Sequence, residues 1–325
     1  LNNHTNLTRK AETPDIPLVV ILGPTGVGKT ELALELAARF HGEIVSADSR
    51  LFYRRMDIGT AKPSAQERMK VVHHLIDVAD PDQTWSLAIF QKEASQALQD
   101  IYAKHHLPFL VGGTGQFVRS IREGWIIPPS QPNPHLRAVL EQWAKQLSKE
   151  TLHAKLAMLD PVAAKSIDPS NVRRTVRALE VILSTGKRFS EQRLKGQRLY
   201  KPLLLGLKRP RSELYQRIDE RIHKMLEAGF IDEVRGLLAA GYFPTLPTMS
   251  AIGYREMAEY LQGKISLEEA IVIMKRRTRE FVRRQANWFK EEDPDIRWFT
   301  VKEDTFHSLE ELIKQWIESN DWDIR

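Results

Sequence analysis

The 325-residue chain contains no cysteine. That absence excludes a disulfide scaffold and thiolate metal centres, and it suits a reducing compartment, so a cytoplasmic location is expected. Long apolar runs are missing as well. Stretches such as Leu18–Leu22 and Leu203–Leu207 are far too short to span a bilayer, and no membrane association is expected. The opening residues, Leu1–Asp15, are polar and lack the apolar centre of a signal peptide; they read as a flexible tail. There is no internal repeat and no low-complexity tract, which argues against solenoids and arrays. Nothing in the sequence points to an obligate protein partner.

Charge of one sign is only slightly in excess: 48 Lys plus Arg face 42 Asp plus Glu, for a net charge of +6. Such a balance permits an acidic partner without requiring one. The placement of the bases is more informative. From Arg173 to Arg209 they include Arg173, Arg174, Arg177, Lys187, Arg188, Arg193, Lys195 and Arg198, opposed only by Glu180 and Glu191. A second cluster runs Lys275, Arg276, Arg277, Arg279, Arg283, Arg284. Two local excesses suggest a polyanion footprint; solvated helix faces are the plainer alternative.

With 42% hydrophobic residues the chain can build a sizeable core. Leu18–Leu22 reads as a strand, then Leu32, Leu36 and Phe40 repeat every four residues along a helix from Lys29. Glu43–Ser46 and Leu107–Val111 are further strands, separated by a long helix from Leu87 to His105 that Ser86 could cap. Strands alternating with helices predict an α/β fold with a parallel sheet. The texture changes near Trp125. Pro128, Pro129, Pro132 and Pro134 form a linker-like stretch, and only helical periodicity follows until Leu203–Leu207 restores a strand. The expected organisation is a tail over 1–15 and an α/β core over 16–125 and 198–325, its C-terminal part helical. A helical insertion over 126–197 would interrupt that core. Ser266 and Glu269 have the spacing of a capping box, opening a helix toward Lys290.

Gly23-Pro24-Thr25-Gly26-Val27-Gly28-Lys29-Thr30 fits the P-loop pattern in full. Glycines let successive N–H groups turn toward a phosphate, Lys29 adds a positive charge, and the Thr30 hydroxyl is a candidate Mg²⁺ ligand. A strand before and a helix after the loop complete the context, so the core is of the P-loop NTPase type. Motor-type NTPases end a second apolar strand in an Asp, but Leu107–Val111 ends here in Gly112-Gly113. The carboxylate stands instead at Asp48, beyond the strand Glu43–Ser46. The carboxyl ends of parallel strands border the ligand crevice, so Asp48 should lie beside bound phosphates, as a metal partner or as a base. A turn or cap role is its bland alternative. Adjacent His73 and His74 should point to opposite sides and share no metal. Met274, Phe281 and Trp288 recur every seven residues, which is read as core packing rather than a stacking surface for bases. Lys275, Arg279 and Arg283 share one helix face.

These segments, with Ala47-Asp48-Ser49, Met56 to Pro63, His73 to Asp77, Gly112 to Gly115, Arg177 to Val181, Ala251 to Tyr254 and Arg284 to Trp288, resemble the tRNA dimethylallyltransferase family in order and content. The resemblance implies transfer of a dimethylallyl group from dimethylallyl pyrophosphate to the exocyclic amine of the adenine 3′ of the anticodon. It implies that the P-loop holds the donor's pyrophosphate and that Asp48 is the base. It also implies that Arg217 faces the pyrophosphate. By the same resemblance Asp48, Ser49, Arg50, Leu51, Thr114, Arg137, Arg173, Arg174, Thr175, Val176 and Arg177 meet the anticodon arm of tRNA. The chain departs from many relatives at Leu51, where they carry Gln, and at Gln116-Phe117, where they carry Leu-Tyr. A small-molecule kinase that uses the same loop for ATP is the alternative reading.

Overall fold

The computed structural model describes residues 15–127, 133–191, 196 and 198–324. Most of the expected tail, together with Pro128, Pro129, Pro132, Arg193 and Lys195, lies outside the described residues. The chain divides into two compact units, one of Leu1–Arg122 with Arg198–Arg325 and the other of Glu123–Gln197.

In the first unit, Ile-Pro-Leu-Val-Val-Ile-Leu offers no polar side chain, so a strand made from it must be covered on both faces. β1 (Ile16–Leu22) is buried along its whole length. It feeds the P-loop and then α1 (Lys29–Arg39), which buries Ala33, Leu36 and Ala37. β2 (Glu43–Ser46) is likewise buried throughout. α2 (Ala65–Lys70) opens with a capping box between Ser64 and Glu67, and β3 (His73–His74) is a brief edge strand. Ser86 caps α3 (Leu87–Ala103) by accepting the Ile89 N–H. β4 (Pro108–Gly112) and α4 (Gly115–Arg122) complete this half of the unit.

The second unit has its own small core. It comprises α5 (Pro134–Leu147), α6 (Lys149–Leu159), α7 (Pro161–Ser166) and α8 (Val172–Thr185). Asn133, Ser148, Asp160 and Asn171 cap these helices in turn, each accepting a first-turn N–H. Leu140, Leu152, Leu156, Val176 and Leu179 meet in its interior.

Back in the first unit, β5 (Tyr200–Lys208) returns to the sheet, followed by α9 (Arg211–Glu227) and α10 (Phe230–Ala239). A 3₁₀ turn at Thr248–Ser250 leads to α11 (Tyr254–Leu261) and α12 (Leu267–Ala286). Ser266 and Glu269 do form the capping box of α12, which ends at Ala286 rather than near Lys290. β6 (Ile296–Thr300) and α13 (Thr305–Glu318) close the described chain.

Among the described residues the strands make one sheet in the order β3-β2-β4-β1-β5-β6. Every pairing is parallel, with Val19 opposite both Phe109 and Leu203. β6 corrects the expectation of a wholly helical C-terminal part. Its five residues sit between helical patterns, and their strand state depends on β5, which pairs with them from Leu204 to Lys208. All carboxyl ends lie on one edge of the sheet. The P-loop after β1, Asp48 after β2 and Thr114 after β4 are therefore gathered there.

Candidate active site

Gly28, at φ 106°, turns the loop into α1; an L side chain rarely adopts that backbone. Lys29 Nζ donates to the Pro24 carbonyl at 2.8 Å, curling its ammonium over the loop. Burial lowers the pKa of Lys29 to about 8, with Arg221 adding to the shift and Asp48 opposing it. Thr30 is exposed at the start of the helix.

Two arginines, one just past the end of β5 and one on α9, grip the same loop from outside. Arg217 Nε donates to the Gly26 carbonyl at 2.9 Å, and Arg209 Nε donates to that of Val27 at 3.0 Å. Arg217 is therefore placed against the P-loop, and its guanidinium also lies 3.7 Å from Glu31. From the opposite side Gln285, buried on α12, bridges two strand ends. Its Oε1 accepts the Thr25 N–H at 2.9 Å while its Nε2 donates to the Gly113 carbonyl at 3.0 Å.

Asp48 is half-buried. Its Oδ1 accepts the Arg50 N–H at 3.0 Å, and its own N–H donates to Ser46 Oγ at 3.3 Å. Ser49 N–H donates to Thr114 Oγ1 at 3.4 Å, tying the loop after β2 to the loop after β4. Burial lowers the pKa of Arg50 and of Arg221, and in both cases the Asp48 carboxylate opposes the shift. These two arginines and Lys29 set positive charge around the Asp48 carboxylate.

A cavity of about 550 Å³ opens beside these groups. Thr25, Asp48, Ser49, Arg50, Thr114 and Arg221 supply polar wall. Ile218, Ile222 and Met225 of α9, with Met274 and Phe281 of α12 and Trp288 just beyond its end, supply apolar wall. The seven-residue series thus meets the core-packing expectation at Met274 and departs from it toward Trp288. Met274 is 2% exposed, but Trp288 is 41% exposed, and all three line the cavity. Periodicity marks the apolar face of a helix and cannot tell whether a neighbour or a cavity covers it.

Of the other expected site residues, Leu51 is half-buried beside the cavity lining, with its N–H bonded to the Asp48 carbonyl. Gln116 lines the cavity, whereas Phe117 is buried and stacks on Phe90 with ring centres 4.2 Å apart. Arg137, Arg173, Arg174, Thr175, Val176 and Arg177 all belong to the second unit. There α8 turns Thr175 and Val176 into the core, which removes their side chains from the surface expected to meet RNA. Arg173 is exposed. Arg137 and Arg177 converge on the buried Glu180, at 2.7 and 2.9 Å. Lys275 and Arg279 of the expected basic stripe pair with Asp219, at 3.6 and 2.8 Å, so their charge is partly spent within the protein. His73 and His74 have separate partners, the Val71 carbonyl and Glu43, and no described cluster could hold a metal through three His, Asp or Glu ligands.

Sequence reasoning missed Arg221, and it named Gln285 without assigning it a role. One signal for Arg221 was present: it follows Arg217 by one helical turn and so shares its face.

A parallel sheet, a complete P-loop and a carboxylate at a nearby strand end define a phosphate-handling transferase of the P-loop class. The IPP transferase family model matches residues 51–292. The chain belongs to this family. It is 48% identical over 304 residues to the tRNA dimethylallyltransferase of Roseiflexus sp. (strain RS-1), covering 94% of this chain and 100% of that protein. The corresponding enzyme of Thermomicrobium roseum is 46% identical, with 95% and 94% covered. Among solved structures, the full-length tRNA isopentenylpyrophosphate transferase from Bacillus halodurans superposes with a TM-score of 0.70 at 38% identity, over 94% of this chain and 98% of that one. A eukaryotic dimethylallyltransferase acting on tRNA gives a TM-score of 0.80 at 27% identity, over 95% and 81%. These relatives do not favour the kinase alternative. No described helix is long and apolar enough to cross a membrane.

Proposed function

We propose that this transferase moves a dimethylallyl group from dimethylallyl diphosphate to the exocyclic amine of the adenine 3′ of the anticodon in tRNA. The observation that carries the proposal is one cavity bordered by Thr25 of the P-loop, the Asp48 carboxylate and an apolar wall. An allylic diphosphate needs all three: cationic and N–H partners for the leaving group, a base for the nucleophile, and dry surroundings for the hydrocarbon.

In the reaction the C1–O bond to diphosphate breaks and a C1–N bond to the adenine amine forms. Carbon becomes cationic as negative charge gathers on the leaving oxygens. Backbone N–H groups of Gly26 to Thr30, the Lys29 ammonium, Arg217 and Arg221 supply fixed positive potential for that charge. The amine is a weak nucleophile because its lone pair is delocalised into the ring. Asp48 takes the proton it sheds, which contributes on the order of a hundredfold or more. The base must leave its stack to reach Asp48, and Trp288 and Phe281 offer it aromatic surface in the cavity.

Mg²⁺ fits the donor set as a partner of the diphosphate. Thr30 would be its direct protein ligand, with diphosphate oxygens and water filling the rest, in line with the habit of Mg²⁺ to take few protein ligands. When bound it would add charge stabilisation on the leaving group. The unit Glu123–Gln197 supplies the RNA-binding cations Arg137, Arg173, Arg174 and Arg177 in this reading, and a cytoplasmic setting accompanies it. The test is nucleoside mass analysis of an undermodified tRNA incubated with the protein, Mg²⁺ and dimethylallyl diphosphate. A dimethylallyl mass gain on adenosine is expected; incorporation of labelled phosphate from ATP instead would return the kinase reading.

A further inference from the structure

Glu233 has no part in the chemistry described above, yet its carboxylate accepts four hydrogen bonds. From the first turn of α10, its Oε2 accepts the backbone N–H groups of Asp57 at 2.9 Å and Ile58 at 2.7 Å. Its Oε1 accepts the Gly59 N–H at 3.2 Å and the Tyr254 hydroxyl at 2.6 Å. Three successive amides converging on one carboxylate form a nest of the kind that binds anions, and here a side chain of the same protein fills it. Asp57 to Gly59 belong to no helix or strand, so these amides have no ladder partner to fall back on.

The nested segment is pressed onto the cavity. A Cβ at Gly59 would lie 2.3 Å from Phe230 and 2.6 Å from Tyr254, so the backbone rests directly on both rings. The rings meet edge to face with centres 5.1 Å apart. Burial and then Glu233 push the Tyr254 phenol upward, which keeps it a neutral donor. The next residue closes the segment: the Thr60 hydroxyl donates to the Met56 carbonyl at 2.6 Å. The Thr60 carbonyl then accepts a hydrogen bond from Arg221 Nη2 at 3.2 Å. Gly59, Thr60, Arg221 and Tyr254 all line the cavity.

We propose that Glu233 is a positioning residue for the transfer: by holding Asp57 to Gly59 it fixes the Thr60 carbonyl, and through it the Arg221 guanidinium, beside the donor's diphosphate. The inference rests on the functional reading above for what Arg221 does. A carboxylate suits the task because two acceptor oxygens meet four donors. Glutamine has one oxygen, and its amide would turn two N–H groups toward amides that also donate.

The test is a double-mutant cycle on the full-length chain with Glu233→Gln and Arg221→Ala. Two quantities are measured: the single-turnover rate of prenyl transfer to tRNA, and the dissociation constant of inorganic diphosphate by calorimetry. Glu233→Gln is expected to lower the rate about tenfold or more and to weaken diphosphate, with KM for tRNA little changed. In the Arg221→Ala background the same change should cost less than about twofold, since its route to the cavity is already gone. Glu233→Asp, which keeps both oxygens, should recover part of the loss and can carry the cycle if the glutamine variant does not fold. Losses that multiply in the cycle would overturn the proposal. So would a lower unfolding temperature with an unchanged rate per folded molecule. Wild-type protein that makes no prenylated nucleoside, with the diphosphate cycle still non-additive, would defeat the functional reading and leave the positioning role standing.

Discussion

Asp48→Asn keeps the size of the side chain and its ability to accept from the Arg50 N–H, but cannot take a proton at neutral pH. Single-turnover transfer should fall roughly a hundredfold or more, while tRNA and diphosphate affinities change little. A near-normal rate would reduce Asp48 to a turn residue; partial recovery at high Mg²⁺ would make it a metal partner. Lys29 makes a pH prediction. Its pKa near 8 means that the free protein loses this charge above that pH, whereas a bound diphosphate draws the proton back. Diphosphate affinity should therefore be flat below about pH 8 and weaken above it, by as much as tenfold per unit. In Lys29→Met the bend should vanish. The same shift makes the unfolded chain bind more protons between about 8 and 10.5, so the free protein should gain stability with rising pH across that window. Asp48 and Lys29 were legible because motif and strand end together gave their place. Arg221 lacks a local motif; what marks it is burial near Asp48, which only the packed helix creates.

At the scale of elements, α12 holds the loops of two strands together through a single amide. Gln285→Leu would leave the Thr25 N–H and the Gly113 carbonyl without their partner, a loss of about 1–3 kcal/mol of stability. Urea unfolding would measure it, and diphosphate binding should weaken alongside because the Thr25 amide sits within the P-loop. Unchanged binding at lowered stability would confine Gln285 to a structural role. The strands β1, β4 and β5 were legible as apolar runs with turn residues at their ends, and β2 as the short segment Glu43–Ser46 between the P-loop helix and Asp48. β6 was not, because five residues carry little pattern and its hydrogen bonds come from β5. The series Met274, Phe281, Trp288, which runs along α12 and just past its end, gave its period but not its environment: it packs the core at Met274 and borders open space at Trp288.

For the whole molecule, removing 126–197 should abolish tRNA binding and leave diphosphate binding largely intact, as calorimetry with each ligand would show. A well-folded deletion that loses diphosphate binding would make that segment part of the donor site. In the intact protein, tRNA affinity should fall steeply with added salt, since each neutralised phosphate releases condensed counterions. A flat response would count against the arginines of α8 as phosphate contacts. The alternation of strands and helices made the parallel sheet legible, but the strand order was not, because it is set by which edges remain open as the chain returns. That order has a consequence for synthesis. Val19 pairs with Leu203, so one whole side of β1 waits for residues made long after it. At roughly 5–20 residues per second the interval is on the order of ten to forty seconds. Within it the helices between Pro134 and Thr185 are already complete, while β1, β2 and β4 present an unfinished apolar edge. Nascent chains arrested before residue 200 should therefore engage chaperones or aggregate, and release past β6 should restore solubility, an outcome that ribosome-bound chains of graded length would reveal.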